Sequence, residues 1–197
     1  MRMQKGFTLV ELLIVIALLG AIALAVIAAI NPIEQANRAR DTRFKTDSAN
    51  LVSAIERYFT TKSEFPWVTS GTVNGNDDAF GFVSANNEDV GICGTNCTLD
   101  GNLITALELK SEFKNRDFVK NGGGTDASKK IFVGKAIGAS ESVYSCFIPM
   151  ATATREKEVA DGRVYTISAA DGTRTSTTAC DASGANWVSL GCYVCVP

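Results

Sequence analysis

The chain has 197 residues, room for one membrane anchor and one domain of about 140 residues, which excludes a multidomain enzyme. Hydrophobic residues make up 46% and charged residues 20%, the balance of a folded protein rather than a disordered or collagen-like one. Nineteen basic against 21 acidic residues give a net charge of -2, so bulk attraction to nucleic acid is excluded and no dedicated nucleic-acid site is evident. Histidine is absent, and with it the commonest general base and the usual nitrogen ligand of catalytic zinc. No nucleophile motif such as G-x-S-x-G is present either, so the sequence points to no enzyme and no cofactor.

Apolar content is concentrated at one end of the chain. Arg2 and Lys5 precede a stretch, 7–30, that is apolar except for Thr8, Glu11 and Gly20. As a helix its 24 residues cover about 36 Å, more than the roughly 30 Å of a bilayer's hydrocarbon core. The plain alternative to an anchor is a cleaved secretory signal, for which Ala21, Ala23 and Ala25 offer small-x-small sites. Glu11 argues against that alternative. A carboxylate in an apolar helix costs roughly 2.5 to 3.5 kcal/mol at the bilayer centre, so it needs either a partner or a place among the headgroups.

The run Lys5-Gly6-Phe7-Thr8-Leu9-Val10-Glu11, leading into Leu12-Leu13-Ile14-Val15-Ile16, resembles the processing site and anchor of type IV prepilins and pseudopilins. The resemblance implies that a prepilin peptidase removes residues 1–6 by cutting between Gly6 and Phe7 and methylates the Phe7 amine. The apolar helix is then kept, first as a membrane anchor and later in the core of a homo-oligomeric helical filament built on a pilus assembly platform. A carboxylate buried in such a filament needs a cation, and the nearest is the Phe7 amine of a neighbouring subunit, which gives Glu11 an assembly role. The implied function is a structural subunit of a type IV pilus or pilus-like filament. The alternative is a minor pilin or pseudopilin that binds a surface, DNA or a secretion substrate. The implied location is the cytoplasmic membrane, single-pass with the C-terminal domain outside, and then the extracellular filament. Arg38, Arg40, Arg43 and Lys45 follow the span, so a positive-inside count points the other way, and the motif and the cysteines are taken to decide.

Asn31-Pro32 predicts a kink or local melting around 28–32. Beyond it Phe44, Ser48, Leu51, Val52, Ile55, Tyr58 and Phe59 recur at helical spacing with Arg43, Lys45, Asp47 and Arg57 between them, an amphipathic helix ended before Phe65-Pro66. Asn31-Pro32-Ile33-Glu34-Gln35, the arginines at 38, 40 and 43, Asp41, Tyr58 and Phe65-Pro66 are similar to the second half of the long helix of small bacterial pilins and major-pseudopilin-like proteins. The three arginines suit neighbouring subunits, anionic headgroups or a solvated helix face.

The stretch 68–101 reads as loop, with Gly71, Asn74-Gly75, Gly81 and Gly91 as punctuation. Leu103, Ile104, Leu107 and Phe113 predict a short helix within 99–114, and 121–125 a flexible turn. Strands are predicted at 130–137, 142–150, 162–169 and 186–196. The expected fold is therefore α+β: a long N-terminal helix packed on a C-terminal antiparallel sheet with loops and disulfides. Its expected divisions are a leader 1–6, an anchor 7–30, an amphipathic half 31–66 and a variable domain 67–197.

Six cysteines, Cys93, Cys97, Cys146, Cys180, Cys192 and Cys195, suit three disulfides in an oxidising compartment, with fifteen connectivities open. Cys146 could bridge to Cys180 or to one of the C-terminal pair. The competing arrangement is one zinc held by the C-x3-C and C-x2-C pairs. Asn76-Asp77-Asp78 and Asn87-Glu88-Asp89 offer oxygen to calcium but lack the spacing of a calcium loop, so solvated loop is the favoured reading and no metal is expected.

Overall fold

The structure, a computed structural model, describes residues 6–29, 31–68, 81–120, 124–138 and 141–197, without the side chains of residues 28, 29 and 96. Packing divides the chain into two units, Met1–Ala36 and Asn37–Pro197. In the first, helix α1 (Leu9–Ala29) contains 21 residues of which only Glu11 is charged, and its apolar side chains are exposed within that unit. The segment Leu9–Ile27 is long and apolar enough to cross a membrane.

Helix α2 (Pro32–Lys62) starts afresh after the predicted break. Proline at its first position loses no intrahelical bond, and the Asn31 side chain accepts the Glu34 amide at 3.2 Å, so these two residues together make a helix start. The helix ends on Lys62, where Ser63 takes a left-handed φ of 59° and its amide donates to the Phe59 carbonyl at 2.7 Å.

Inside the second unit, α2 buries Phe44, Leu51, Val52, Ala54 and Ile55, the stripe expected from the 3.6-residue period. It also buries two carboxylates. Asp47, placed by the sequence pattern on the polar face, is only 2% exposed, and so is Asp41. The stripe packs on a four-stranded antiparallel sheet of order β1-β2-β3-β6: β1 (Gly81–Ser84), β2 (Ile131–Lys135), β3 (Tyr144–Phe147) and β6 (Val194–Val196). Ile131, Val133 and Phe147 face α2, with Phe44 edge-on to Phe147 at 5.9 Å. A separate hairpin, β4 (Tyr165–Ile167) with β5 (Arg174–Ser176), lies against the sheet through the Tyr144 hydroxyl, which donates to the Gly172 carbonyl at 2.5 Å. Gly172 has φ 67°, and a Cβ there would meet the Lys135 carbonyl oxygen at 2.5 Å, so this turn requires glycine.

The α+β architecture and its antiparallel sheet are as expected, but membership differs. Residues 81–84, within the stretch read as loop, form β1 and occupy the sheet edge; 162–169 contributes β4 to the hairpin instead. Only the end of 186–196 is a strand, since 185–191 turns and buries Trp187. The helix predicted within 99–114 is split into α3 (Asn102–Thr105) and a 3₁₀ turn (Ser111–Asn115). Leu103, Ile104 and Phe113 are buried as expected, whereas Leu107 is 90% exposed with φ 61°, because it occupies the left-handed position just past α3. Helix α4 (Asp117–Lys120) follows, placing Phe118 and Val119 in the core. Residues 121–123 of the predicted flexible turn lie outside the described residues.

Helix α5 (Thr152–Ala160) was not foreseen. Ala151 at its N-cap has no side-chain acceptor to offer. Asp41 of α2 supplies one: its carboxylate accepts the Met150 amide at 3.0 Å and the Ala151 amide at 2.8 Å. Arg155 holds the other side of α5, donating to the carbonyls of Met150 and Ala182 at 2.8 and 3.0 Å.

All six cysteines are paired: Cys93 with Cys97, Cys146 with Cys195, and Cys180 with Cys192. The four thiolates of the zinc arrangement are thus spread over three bridges. Cys146 and Cys195 stand directly opposite in the β3–β6 ladder, while Cys180–Cys192 sits in a second small core with Ile148, Val164 and Trp187.

Candidate functional site

The N-terminus concentrates the chemistry. Gly6 and Phe7 precede the first turn of α1 in exposed chain without regular structure, with Phe7 83% exposed. A Cβ added to Gly6 would meet nothing within 4 Å, and Gly6 has no left-handed φ, so neither space nor backbone conformation in this chain demands glycine there.

Thr8 and Glu11 form a reciprocal helix cap. The Thr8 amide and hydroxyl donate to Glu11 Oε2 at 2.9 and 2.8 Å, and the Glu11 amide donates to Thr8 Oγ1 at 3.2 Å. Two amides that would have no helical partner are satisfied in this way, and the carboxylate lies at the positive end of the helix dipole. The predicted assembly carboxylate therefore has a partner within its own subunit. The sequence reading passed over Thr8, although Thr-x-x-Glu ahead of an apolar run is the signal for this cap.

Other candidates are dispersed. Asn87 caps the 3₁₀ turn Glu88–Val90, accepting the Asp89 amide at 2.8 Å, so one oxygen of that acidic group serves the backbone. Asn76, Asp77 and Asp78 lie outside the described residues. Among the described residues no group of acidic, histidine or cysteine side chains is arranged to hold a metal ion. A cavity of about 610 Å³ lies between α2 and the 108–116 segment, with Phe113 and Leu109 on its wall. Arg57 there pairs with Glu108 at 3.0 Å, and no hydroxyl or thiol lines it, so it offers no such nucleophile.

Asp47 is the electrostatic exception in the second unit. One of its oxygens meets Arg116 at 3.3 Å, and the other has no hydrogen-bond partner. Burial pushes its carboxyl above the ordinary range, against the opposing pull of Arg116 and Arg43.

Residues 1–27 match the family model of the prokaryotic N-terminal methylation motif. The chain carries the type IV pilin and pseudopilin signature. That signature belongs to a structural rather than enzymatic family, and it implies processing by prepilin peptidase and filament assembly in general terms. An apolar α1 that makes up most of the matched segment fits a membrane anchor that later enters a pilus. No curated protein and no solved structure matches the chain.

Proposed function

We propose that this chain is a non-enzymatic structural subunit of a type IV pilus or related filament, cleaved between Gly6 and Phe7, N-methylated on Phe7 and assembled through α1. The observation that carries the reading is the methylation motif over 1–27, placed on an exposed Gly6-Phe7 pair immediately before a membrane-length helix. Since the chain's own geometry does not demand glycine at position 6, its presence is accounted for by the peptidase that reads it. Three disulfides support a second unit that lies outside the cytoplasm.

Glu11 is read as a two-partner carboxylate. In the lone subunit Thr8 satisfies it, which lowers the cost of carrying a charge within an apolar helix. In the filament the methylated amine of a neighbour's Phe7 approaches it and supplies the missing positive charge. Hydrophobic burial alone discriminates poorly among packing registers, because α1 is apolar on every side. The ion pair selects the register.

Mass spectrometry of sheared surface filaments tests the reading directly. It is expected to find this chain starting at methylated Phe7. A mature chain starting near Ala28, or one absent from filaments, would overturn it.

A further inference from the structure

Helix α1 begins at Leu9, although the residues just ahead of it do not forbid an earlier start. Phe7 is an ordinary helix residue, and Gly6 disfavours a helical turn without excluding one. Propagation adds one hydrogen bond for each residue fixed, and amides at the start of a helix that enters a bilayer are short of water. One more turn would send the Val10 amide to the Gly6 carbonyl and the Glu11 amide to the Phe7 carbonyl.

Thr8 prevents that turn. Its Oγ1 accepts the Glu11 amide at 3.2 Å and so removes the donor that the Phe7 carbonyl would need. Its own amide and hydroxyl donate to Glu11 Oε2 at 2.9 and 2.8 Å, which fixes the hydroxyl oxygen in place for that bond. The first carbonyl drawn into the helix is then that of Thr8, which accepts the Leu12 amide at 3.3 Å. Among the described residues no backbone amide donates to the Gly6 or Phe7 carbonyl.

The Gly6 carbonyl is the group that the proposed cut must reach. Hydrolysis adds the oxygen of water to its carbon and breaks the bond to the Phe7 nitrogen. Both protons of that water end on the nitrogen, leaving a Gly6 carboxylate and a Phe7 ammonium. Negative charge develops on the Gly6 oxygen during attack and needs donors from the enzyme, so an oxygen already held by Val10 inside a helical turn is a poor target. Exposed chain without regular structure is the preferred substrate of proteolysis, and the rate follows the population of that open form.

We infer that Thr8 is a positioning residue for processing: its hydroxyl ends α1 at Leu9 and keeps the Gly6–Phe7 peptide outside the helix, where the peptidase reaches it. The inference rests on the processing reading given above. Glu11 acts here only by pinning the hydroxyl, so its loss slows the cut less than the loss of Thr8 Oγ1. Thr8 and Glu11 both lie after the cut, so the cap passes into the mature chain and leaves the Phe7 amine outside the helix for methylation.

The test measures initial cleavage rates of the full precursor in membranes that carry prepilin peptidase. Thr8→Val keeps the side-chain shape, loses the hydroxyl and is expected to be cut about fivefold more slowly while still reaching completion. Thr8→Ser and Thr8→Asn, cap residues of different shape, are expected within about twofold of wild type, as is Glu11→Gln, which keeps a return acceptor without the charge. Infrared absorption of a ¹³C-labelled Gly6 carbonyl in the full chain is expected to move to the helical frequency in Thr8→Val alone. Thr8→Val cut at the wild-type rate, or cut slowly with the Gly6 carbonyl unchanged, would overturn the inference. So would Thr8→Asn as slow as Thr8→Val, a result that assigns the threonine to direct contact with the peptidase. Wild-type precursor left whole, or cut elsewhere than between Gly6 and Phe7, would refute the processing reading on which the inference stands.

Discussion

Asp41 joins α2 to α5 through contacts that sequence spacing does not reveal, and its removal has a computable cost. The carboxylate is 2% exposed and accepts two backbone amides, while Arg40 donates to it at 3.0 Å. Asp41→Ala leaves two donors without an acceptor, at about 1 to 3 kcal/mol for each that stays dry, and strands a half-buried guanidinium. The sum is about 3 to 5 kcal/mol, the range for breaking a buried charged pair. Asp41→Asn keeps one acceptor and turns its amide group toward the second donor, which costs about 1 to 2 kcal/mol. Thr46→Ala, on the exposed face of the same helix, stays within about 0.5 kcal/mol. Denaturant unfolding of the full chain in detergent, followed by the fluorescence of buried Trp187, reads all three as shifts in midpoint. Asp41→Ala within 1 kcal/mol of wild type would refute the reasoning, as would an Asn variant as costly as the Ala one.

Gly6→Val is expected to leave uncleaved precursor in the membrane with α1 intact, checked by the mass of the accumulated chain; full processing would argue against recognition at Gly6. Glu11→Ala should be processed and folded yet assemble poorly, whereas Thr8→Ala, which loses the cap but keeps the charge, should assemble better than Glu11→Ala; filament counts by electron microscopy decide. Asp47 binds its proton more tightly folded than unfolded, so its ionised form weakens the fold at neutral pH and stability is recovered as pH falls through its raised pKa toward the ordinary carboxylate value. Asp47→Asn should therefore gain up to about 1 kcal/mol at pH 7 and lose that recovery on acidification, and a variant clearly weaker than wild type at pH 7 would contradict this. Replacing both Cys146 and Cys195 by Ala frees a 49-residue separation and should cost about 4 kcal/mol, against about 2 kcal/mol for the short Cys93–Cys97 bridge, measured as unfolding midpoints of the oxidised chains.

The buried stripe of α2 and a strand within each of the four predicted stretches were legible because their apolar spacing is local information. Residues 81–84 were not, since Gly81-Phe82-Val83-Ser84 is a short run among glycines and asparagines whose extended state comes from pairing with β2. Helix α5 escaped notice because its cap is supplied by Asp41, more than a hundred residues earlier. Asp47 lies among polar residues in the pattern, and only the structure brings 115–118 beside it. At the N-terminus the motif names Gly6, Phe7 and Glu11 at once, whereas the role of Glu11 as the return half of a cap with Thr8 rests on local hydrogen bonds.

The pairing of Cys146 with Cys195 carries a consequence for biogenesis. As the chain is made, Cys146 emerges 49 residues ahead of its partner, which at about 5 to 20 residues per second is a delay of about 2 to 10 s. During that interval Cys180 and Cys192 both appear before Cys195, so non-native partners for Cys146 are made ahead of the native one. A Cys146–Cys180 bridge formed early would leave Cys195 without its partner in the β3–β6 ladder. A chain oxidised that early would need thiol shuffling after the last strand has arrived, so refolding from the reduced chain is expected to give more native subunit with a thiol-exchange buffer than with a strong oxidant alone.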